Sequence, residues 1–255
     1  MKFETKRIIA GIDVKDGRIV KGVNFADFKD AGDPVEGAVM YAEAGADEIC
    51  LLDIAATVEK RGTFVDLIKK VREKVGSTPI SVSGGIRESG DIGAVLEAGA
   101  DFVGIGTAAV KNPALVKEAV KKYGGEKIKI ALDAKKQPAG NYTVLIEMGM
   151  MDTGIDALKY AKECEASGAG SILLTSFETD GAKQGYNIPL LKLFSSELKI
   201  PVIASGGAGS MEHFLEVFRK TEVESAFAAS VFHFGTVKIP ELKAYLKQNG
   251  IKINL

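Results

Sequence analysis

The stretch Thr78-Pro79-Ile80-Ser81-Val82-Ser83-Gly84-Gly85 reads as a short β-rich segment running into a Ser-Gly-Gly turn, and the turn returns 122 residues later as Ser205-Gly206-Gly207 after Pro201–Ser205. Other pairs keep nearly the same offset. Asp13 and Asp133, each ending a strand-like segment with Lys15 or Lys135 close behind, lie 120 residues apart, and Gly45-Ala46 and Gly168-Ala169 lie 123 apart. Thr107 and Ser230 are likewise 123 apart. A repeat of that period in a chain of 255 residues means two halves of one design, about 1–124 and 125–255.

Working outward, strand candidates fall at Arg7–Asp13, Glu48–Ile54, Thr78–Ser83, Asp101–Gly106, Ile128–Asp133, Ser171–Thr175, Pro201–Ser205 and Ser225–Ser230. Amphipathic stretches separate them: Ile92, Val95 and Leu96 fall at helical spacing, as do Leu115, Val116, Ala119 and Val120. Pro34, Pro113 and Pro240 stand near helix starts, and Gly45 and Gly250 where a left-handed helix end is expected. Strand–helix alternation without a break in composition implies parallel strands covered by helices. At this length a single closed (β/α)8 TIM barrel fits better than an open doubly wound sheet. The one dinucleotide-like fingerprint, Gly104-Ile105-Gly106-Thr107-Ala108-Ala109, comes at the fourth strand and lacks a well-placed acidic ribose partner. The segment 15–32, polar and dotted with glycine, is expected to be a long loop and a natural lid carrying Lys21.

Composition narrows the function. With 33 basic and 34 acidic residues the net charge is −1, so bulk attraction to nucleic acid is not expected and an anion must be held by local devices. The N-terminus lacks an apolar core of signal-peptide length and the apolar runs are strand-sized, so neither export nor a membrane partner is expected and the chain reads as cytoplasmic. Cys50 and Cys164 stand alone without metal spacing and read as buried reduced thiols; His213 and His233 read as structural.

In such barrels chemistry gathers where strands end. Asp13, Asp53 and Asp133 end strands 1, 2 and 5, Thr175-Ser176 ends strand 6, and no strand ends in His or Cys. A histidine triad, a cysteine nucleophile and a metal site are therefore not expected, and no cofactor is called for. Glycine turns let backbone N–H groups approach phosphate oxygens, so Ser83-Gly84-Gly85 with Thr107, and Ser205-Gly206-Gly207 with Ser230, predict two phosphate sites across the barrel mouth. A small molecule with a phosphate at each end would place its middle over Asp13 and Asp133, which suit an acid–base pair if their environments separate their proton affinities. Lys21 in the lid is positioned to neutralise a phosphate or an oxyanion.

Several of these stretches resemble the cyclase subunit of imidazole glycerol phosphate synthase along the whole chain. They include Lys6-Arg7-Ile8-Ile9, Asp13-Val14-Lys15-Asp16-Gly17-Arg18 and Val20-Lys21-Gly22-Val23-Asn24-Phe25 in the first part, with Gly32-Asp33-Pro34-Val35-Glu36 after them. Later come Leu132-Asp133-Ala134-Lys135, Leu173-Leu174-Thr175-Ser176, Asp180-Gly181, Ala204–Gly209 and Ala229-Ser230-Val231-Phe232-His233-Phe234. The resemblance implies a half-symmetric (β/α)8 barrel and a lyase of histidine biosynthesis. Such an enzyme uses ammonia from a partner glutaminase subunit to convert a bis-phosphorylated ribulosyl-formimino aminoimidazole carboxamide ribonucleotide into imidazole glycerol phosphate and an aminoimidazole carboxamide ribonucleotide. It implies Asp13 and Asp133 as the acid–base pair and Lys21 in the closing lid. It further implies Gly84, Gly85 and Thr107 at one phosphate, and Thr175, Asp180, Gly181, Ser205, Gly206, Gly207, Ala229 and Ser230 towards the other end. Arg7 and Glu48 would belong to a charged ring that gates ammonia at the opposite mouth.

The chain departs from that pattern at named places. Gly11 stands for a usual Cys, Gly106 for a usual Asn, Ser83 for the first Gly of a triple-glycine turn, and Met148-Gly149-Met150 for Gly-Gly and a basic residue. In the gating ring Phe102 and Ser171 replace a usual Lys and Glu, so the ring is expected to shrink to one Arg–Glu pair, with looser ammonia gating and altered or absent coupling to a glutaminase. Two rival readings follow: the sister isomerase of the same pathway, which shares both Asp residues and both phosphate turns, and a barrel of this design with lapsed chemistry kept as a phosphate-binding scaffold. The lid motif Val20–Phe25 favours the cyclase over the isomerase.

Overall fold

The computed structural model describes every residue except 1–4, 24–25, 57–58 and 60, with backbone alone for 21–23 and 26–29. In chain order the elements are β1 (Arg7–Lys15), β2 (Arg18–Val23), β3 (Ala26–Gly32), α1 (Pro34–Glu43), β4 (Glu48–Asp53), α2 (Val65–Val75), β5 (Ile80–Ser83), α3 (Ser89–Glu97), β6 (Phe102–Ile105), α4 (Thr107–Lys111) and α5 (Ala114–Tyr123). The second half runs β7 (Ile128–Lys136), β8 (Tyr142–Ile146), β9 (Met151–Asp156), α6 (Ala157–Ala166), β10 (Ser171–Ser176), α7 (Ile188–Glu197), β11 (Val202–Ser205), α8 (Met211–Lys220), β12 (Ser225–Ala228), α9 (Ser230–His233) and α10 (Ile239–Gln248).

Eight of the strands pair in parallel and close into a ring, β1-β4-β5-β6-β7-β10-β11-β12 and back to β1. This is the expected (β/α)8 TIM barrel, and all eight strand candidates fall on the ring. Closure leaves no unpaired edge in the barrel. Outward side chains such as Ile8, Ile49, Val82, Val103 and Ile130 pack with helix residues such as Ile68, Val95, Leu190 and Phe214 into the main core. A smaller cluster of Ile9, Cys50, Leu173, Ile203 and Phe227 fills part of the barrel interior. Helix starts follow local chemistry: the Asp33 carboxylate accepts N–H bonds from Val35 and Glu36 ahead of Pro34-led α1, and Asn187 accepts from Leu190 at α7. Gly45 and Gly250 take φ values of 78° and 81° just past helix ends, as expected.

The segment 15–32 differs from the expected loop. It forms β2, antiparallel to β1, and β3, antiparallel to β2. The reason lies in Ile19 and Val20, β-branched and buried, which continue the strand pattern past the turn at Asp16-Gly17. The second half repeats the device: β8 and β9 form an antiparallel extension of β7. Each half therefore begins with a barrel strand that runs on into a hairpin above the C-terminal mouth. Among the described residues, no helix is long and apolar enough to cross a membrane.

Candidate functional site at the C-terminal mouth

Because successive side chains of a strand alternate faces, Asp13, Asp133 and Thr175 point inward at the C-terminal ends of β1, β7 and β10. They line one cavity of about 590 Å3 together with Gly84, Gly85, Thr107, Asp180, Gly181, Ser205, Gly206, Gly207, Ala229 and Ser230. The structure thus brings together the described side chains named from the sequence at this mouth. Lys21 has its backbone in β2, opposite Lys29, but its side chain lies outside the described residues, as do Asn24 and Phe25 of the lid motif.

Asp13 and Asp133 sit on the first and fifth strands of an eight-stranded ring and so face each other across the barrel axis. Burial, reinforced by the nearby Asp180 carboxylate, lifts Asp133 from 3.8 to about 6, while a hydrogen bond from the Thr175 hydroxyl pulls in the opposite direction. Asp180 is itself raised by burial and by the Asp13 charge. One carboxyl of the site is therefore poised to hold a proton close to neutrality.

Asp53, the remaining acidic strand end, is committed elsewhere. Arg61 donates to both its oxygens at 2.7 and 2.9 Å, and Oδ1 also accepts the Ala56 N–H at 3.0 Å, so it braces the loop after β4. Cys50 and Cys164 are buried, unpaired thiols that burial pushes up to about 12 and about 11, so neither forms a thiolate nucleophile near neutrality. His213 accepts the Gly209 N–H through Nδ1, a structural contact.

The glycine turns are required by the backbone as well as suited to phosphate. Gly84 (φ 94°) lies so close to the loop after β4 that a Cβ would meet the Asp53 carbonyl oxygen at 2.1 Å, and a Cβ on Gly207 (φ 107°) would meet the Gly185 carbonyl at 2.0 Å. Both turns sit at the cavity wall, on opposite sides of the mouth.

Two positions at the cavity wall, Gly11 and Ser83, are each matched by a residue on a neighbouring strand. A Cβ at Gly11 would lie 2.2 Å from Cζ of Phe227, so the missing side chain on β1 makes room for a ring on β12. A Cβ at Gly104 would lie 1.8 Å from Oγ of Ser83, so the hydroxyl on β5 occupies space that β6 has vacated. Phe227, Ser83 and Gly104 all border the cavity.

At the opposite mouth the ring of charges is larger than the expected lone Arg–Glu pair. Buried Glu48 meets Arg7 at 3.4 Å, accepts from the Ser81 hydroxyl at 2.6 Å and forms an ion pair with buried Lys129. Lys129 lies over the Phe102 ring, 4.4 Å from its centroid. The sequence reading missed Lys129 because it follows the start of β7, where the alternation of strand faces was the only signal that it points inward.

Comparison with known proteins adds an independent line. A family model described as "Histidine biosynthesis protein" matches residues 7–238. The imidazole glycerol phosphate synthase subunit HisF of Hydrogenobaculum sp. (strain Y04AAS1) is 53% identical over 250 residues, covering 98% of this chain and 99% of that protein. The protein of the same name from Campylobacter concisus (strain 13826) is 51% identical over 255 residues, covering both chains completely.

Proposed function

The chain belongs to the family of cyclase subunits of imidazole glycerol phosphate synthase, and from that premise we propose how its barrel mouth carries out the reaction. The chain is a lyase of histidine biosynthesis, joining ammonia to the bis-phosphorylated ribulosyl substrate and releasing imidazole glycerol phosphate, an aminoimidazole carboxamide ribonucleotide and one water, which carries off the ketone oxygen. The observation that carries the site assignment is the facing pair Asp13 and Asp133 in one cavity, flanked on two sides by glycine turns.

The substrate spans the mouth. One phosphate rests on Gly84, Gly85 and Thr107, and the other on Gly181, Ser205, Gly206, Gly207, Ala229 and Ser230, with Lys21 closing from the β2–β3 hairpin. Thr175 and Asp180 shape the middle of the site. Bond making to ammonia sheds a proton from nitrogen, and the departing aminoimidazole nitrogen gains one, so the reaction needs a base and an acid on opposite sides of the reacting carbons. Asp133, with its raised proton affinity, is the acid and Asp13 the base. Phe227 and Ser83 fill the space left beside Gly11 and Gly104, so packing at the cavity wall accommodates these positions.

Ammonia comes from a glutaminase subunit docked at the N-terminal mouth, where Arg7 and Glu48, joined by Lys129, control its admission. Lys129 supplies from β7 the lysine charge that Phe102 removes from β6, so glutamine-driven turnover is expected to persist. The barrel acts as one cytoplasmic domain of two halves meeting near residues 124–125, without nucleic acid or membrane as partners. Turnover measured with glutamine plus a glutaminase subunit, against turnover with ammonium alone, tests the coupling. A rate with glutamine below a tenth of the ammonium rate contradicts it. The isomerase reading predicts turnover of only the aldose form of the substrate.

A further inference from the structure

Glu147 occupies an unusual place at the cavity edge. It follows β8, and with Met148 and Gly149 it takes three successive positive φ values, 54°, 59° and 80°. Two of the three residues are not glycine, so the turn between β8 and β9 holds a backbone conformation that their Cβ atoms disfavour. Two contacts tether it to α4. The Glu147 N–H donates to Thr107 Oγ1 at 3.0 Å, and its carboxylate meets Lys111 Nζ at 2.5 Å. Lys111, Thr107, Glu147 and Met148 all line the cavity.

The charges around this edge are uneven. Among the described cavity-lining residues the cations are Arg87 and Lys111, and Arg87 is paired with Asp91. Lys111 is held only by a carboxylate, with side-chain exposures of 55% and 32% for the two partners. An ion pair this exposed is weak, and a phosphate dianion competes well for its ammonium. The backbone contact behaves differently. When Thr107 accepts from Glu147, its own hydroxyl proton stays free to point at a ligand oxygen.

We propose that Lys111 is a ligand for the substrate phosphate seated at Gly84, Gly85 and Thr107, and that the Glu147 carboxylate occupies Lys111 until the phosphate displaces it. The Glu147 N–H meanwhile orients the Thr107 hydroxyl. This rests on the assignment of that phosphate site above. Glu147 is a positioning and specificity residue: a ligand without a phosphate at that end leaves the Glu147–Lys111 pair intact and gains nothing from Lys111.

Equilibrium binding of the bis-phosphorylated substrate, titrated calorimetrically without ammonium so that no turnover occurs, tests the idea. Glu147→Gln is expected to tighten binding about three- to tenfold, and Lys111→Met to weaken it about tenfold. In the Lys111→Met background, Glu147→Gln should give no further gain, and inorganic phosphate should follow the same order with smaller changes. Glu147→Asp, which shortens the reach to Lys111, is the second variant should the amide perturb folding, and it too should tighten binding. With ammonium present, the Glu147 variants should change KM more than kcat. Unchanged or weaker binding by both Glu147 variants overturns the proposal, as does unchanged binding by Lys111→Met. Weakening by Thr107→Val with no effect of Lys111→Met leaves the phosphate site standing and removes this inference alone, whereas no effect of either removes the phosphate-site assignment.

Discussion

At the residue scale, the most informative group is Asp133, lifted to about 6 by burial and by Asp180. Folding raises its proton affinity, so between pH about 4 and 6 the folded chain keeps a proton that the unfolded chain releases, and stability from this group falls as pH rises through that window. Asp133→Asn is therefore expected to raise the melting temperature above pH 6, by the equivalent of about 1–3 kcal/mol, with the advantage shrinking towards pH 4. Thermal unfolding across that range checks it, and the same variant should lose a limb near pH 6 from the kcat/KM profile. Gly11 gives a second residue-scale prediction. Gly11→Cys should drive the Phe227 ring into the cavity, destabilise the fold by about 1–3 kcal/mol and raise KM, and Phe227→Leu should recover most of the loss. A denaturant-unfolding double-mutant cycle measures the coupling; additive effects would show that the two residues are not a compensated pair. From sequence, Asp13 and Asp133 were legible because strand ends can be located. The partnership of Gly11 with Phe227, 216 residues apart, was not, because it depends on barrel closure bringing β1 beside β12.

At the element scale, the barrel strands were legible from their apolar runs and from the repeat, but both hairpins above the mouth were not. In β2 and β3 the polar, glycine-dotted composition of 15–32 reads as loop, although Ile19 and Val20 are β-branched and buried. In β9 most side chains are exposed, so no apolar alternation marks it, and tertiary pairing with β8 decides its conformation. Within the second hairpin β8 is buried throughout while β9 is mostly exposed, so packing holds the two strands unequally. The strained turn after β8 makes a direct test. Met148→Gly should stabilise the chain by about 0.5–1 kcal/mol, since it removes a left-handed residue with a Cβ, after allowance for the greater freedom glycine gains when unfolded. Chemical denaturation gives the value, and a loss of stability would mean that the Met148 side chain packs more usefully than its backbone strains.

At the scale of the whole molecule, the two mouths do different work. The C-terminal mouth gathers carboxylates and glycine turns around a cavity, and the N-terminal mouth is closed by Glu48, Arg7, Ser81 and Lys129. Removing one partner of a buried ion pair strands the other. Here Arg7 and the Ser81 hydroxyl still face Glu48, so Lys129→Met should cost about 1–3 kcal/mol of stability, and adding Glu48→Gln should restore part of it, as measured by denaturant unfolding. The net charge of −1 also acquires a structural meaning, because two phosphates can be held at opposite sides of one mouth by backbone turns and a few local groups without a basic surface. In the proposed reaction this mouth is a working cyclase site with Asp13 and Asp133 as its acid–base pair. The most direct test incubates the purified chain with the bis-phosphorylated ribulosyl substrate and ammonium and follows the fall in substrate absorbance. Turnover by the parent chain, with Asp13→Asn and Asp133→Asn each slower by about 100-fold or more, is the predicted result. No turnover by the parent, or undiminished turnover by either variant, contradicts it.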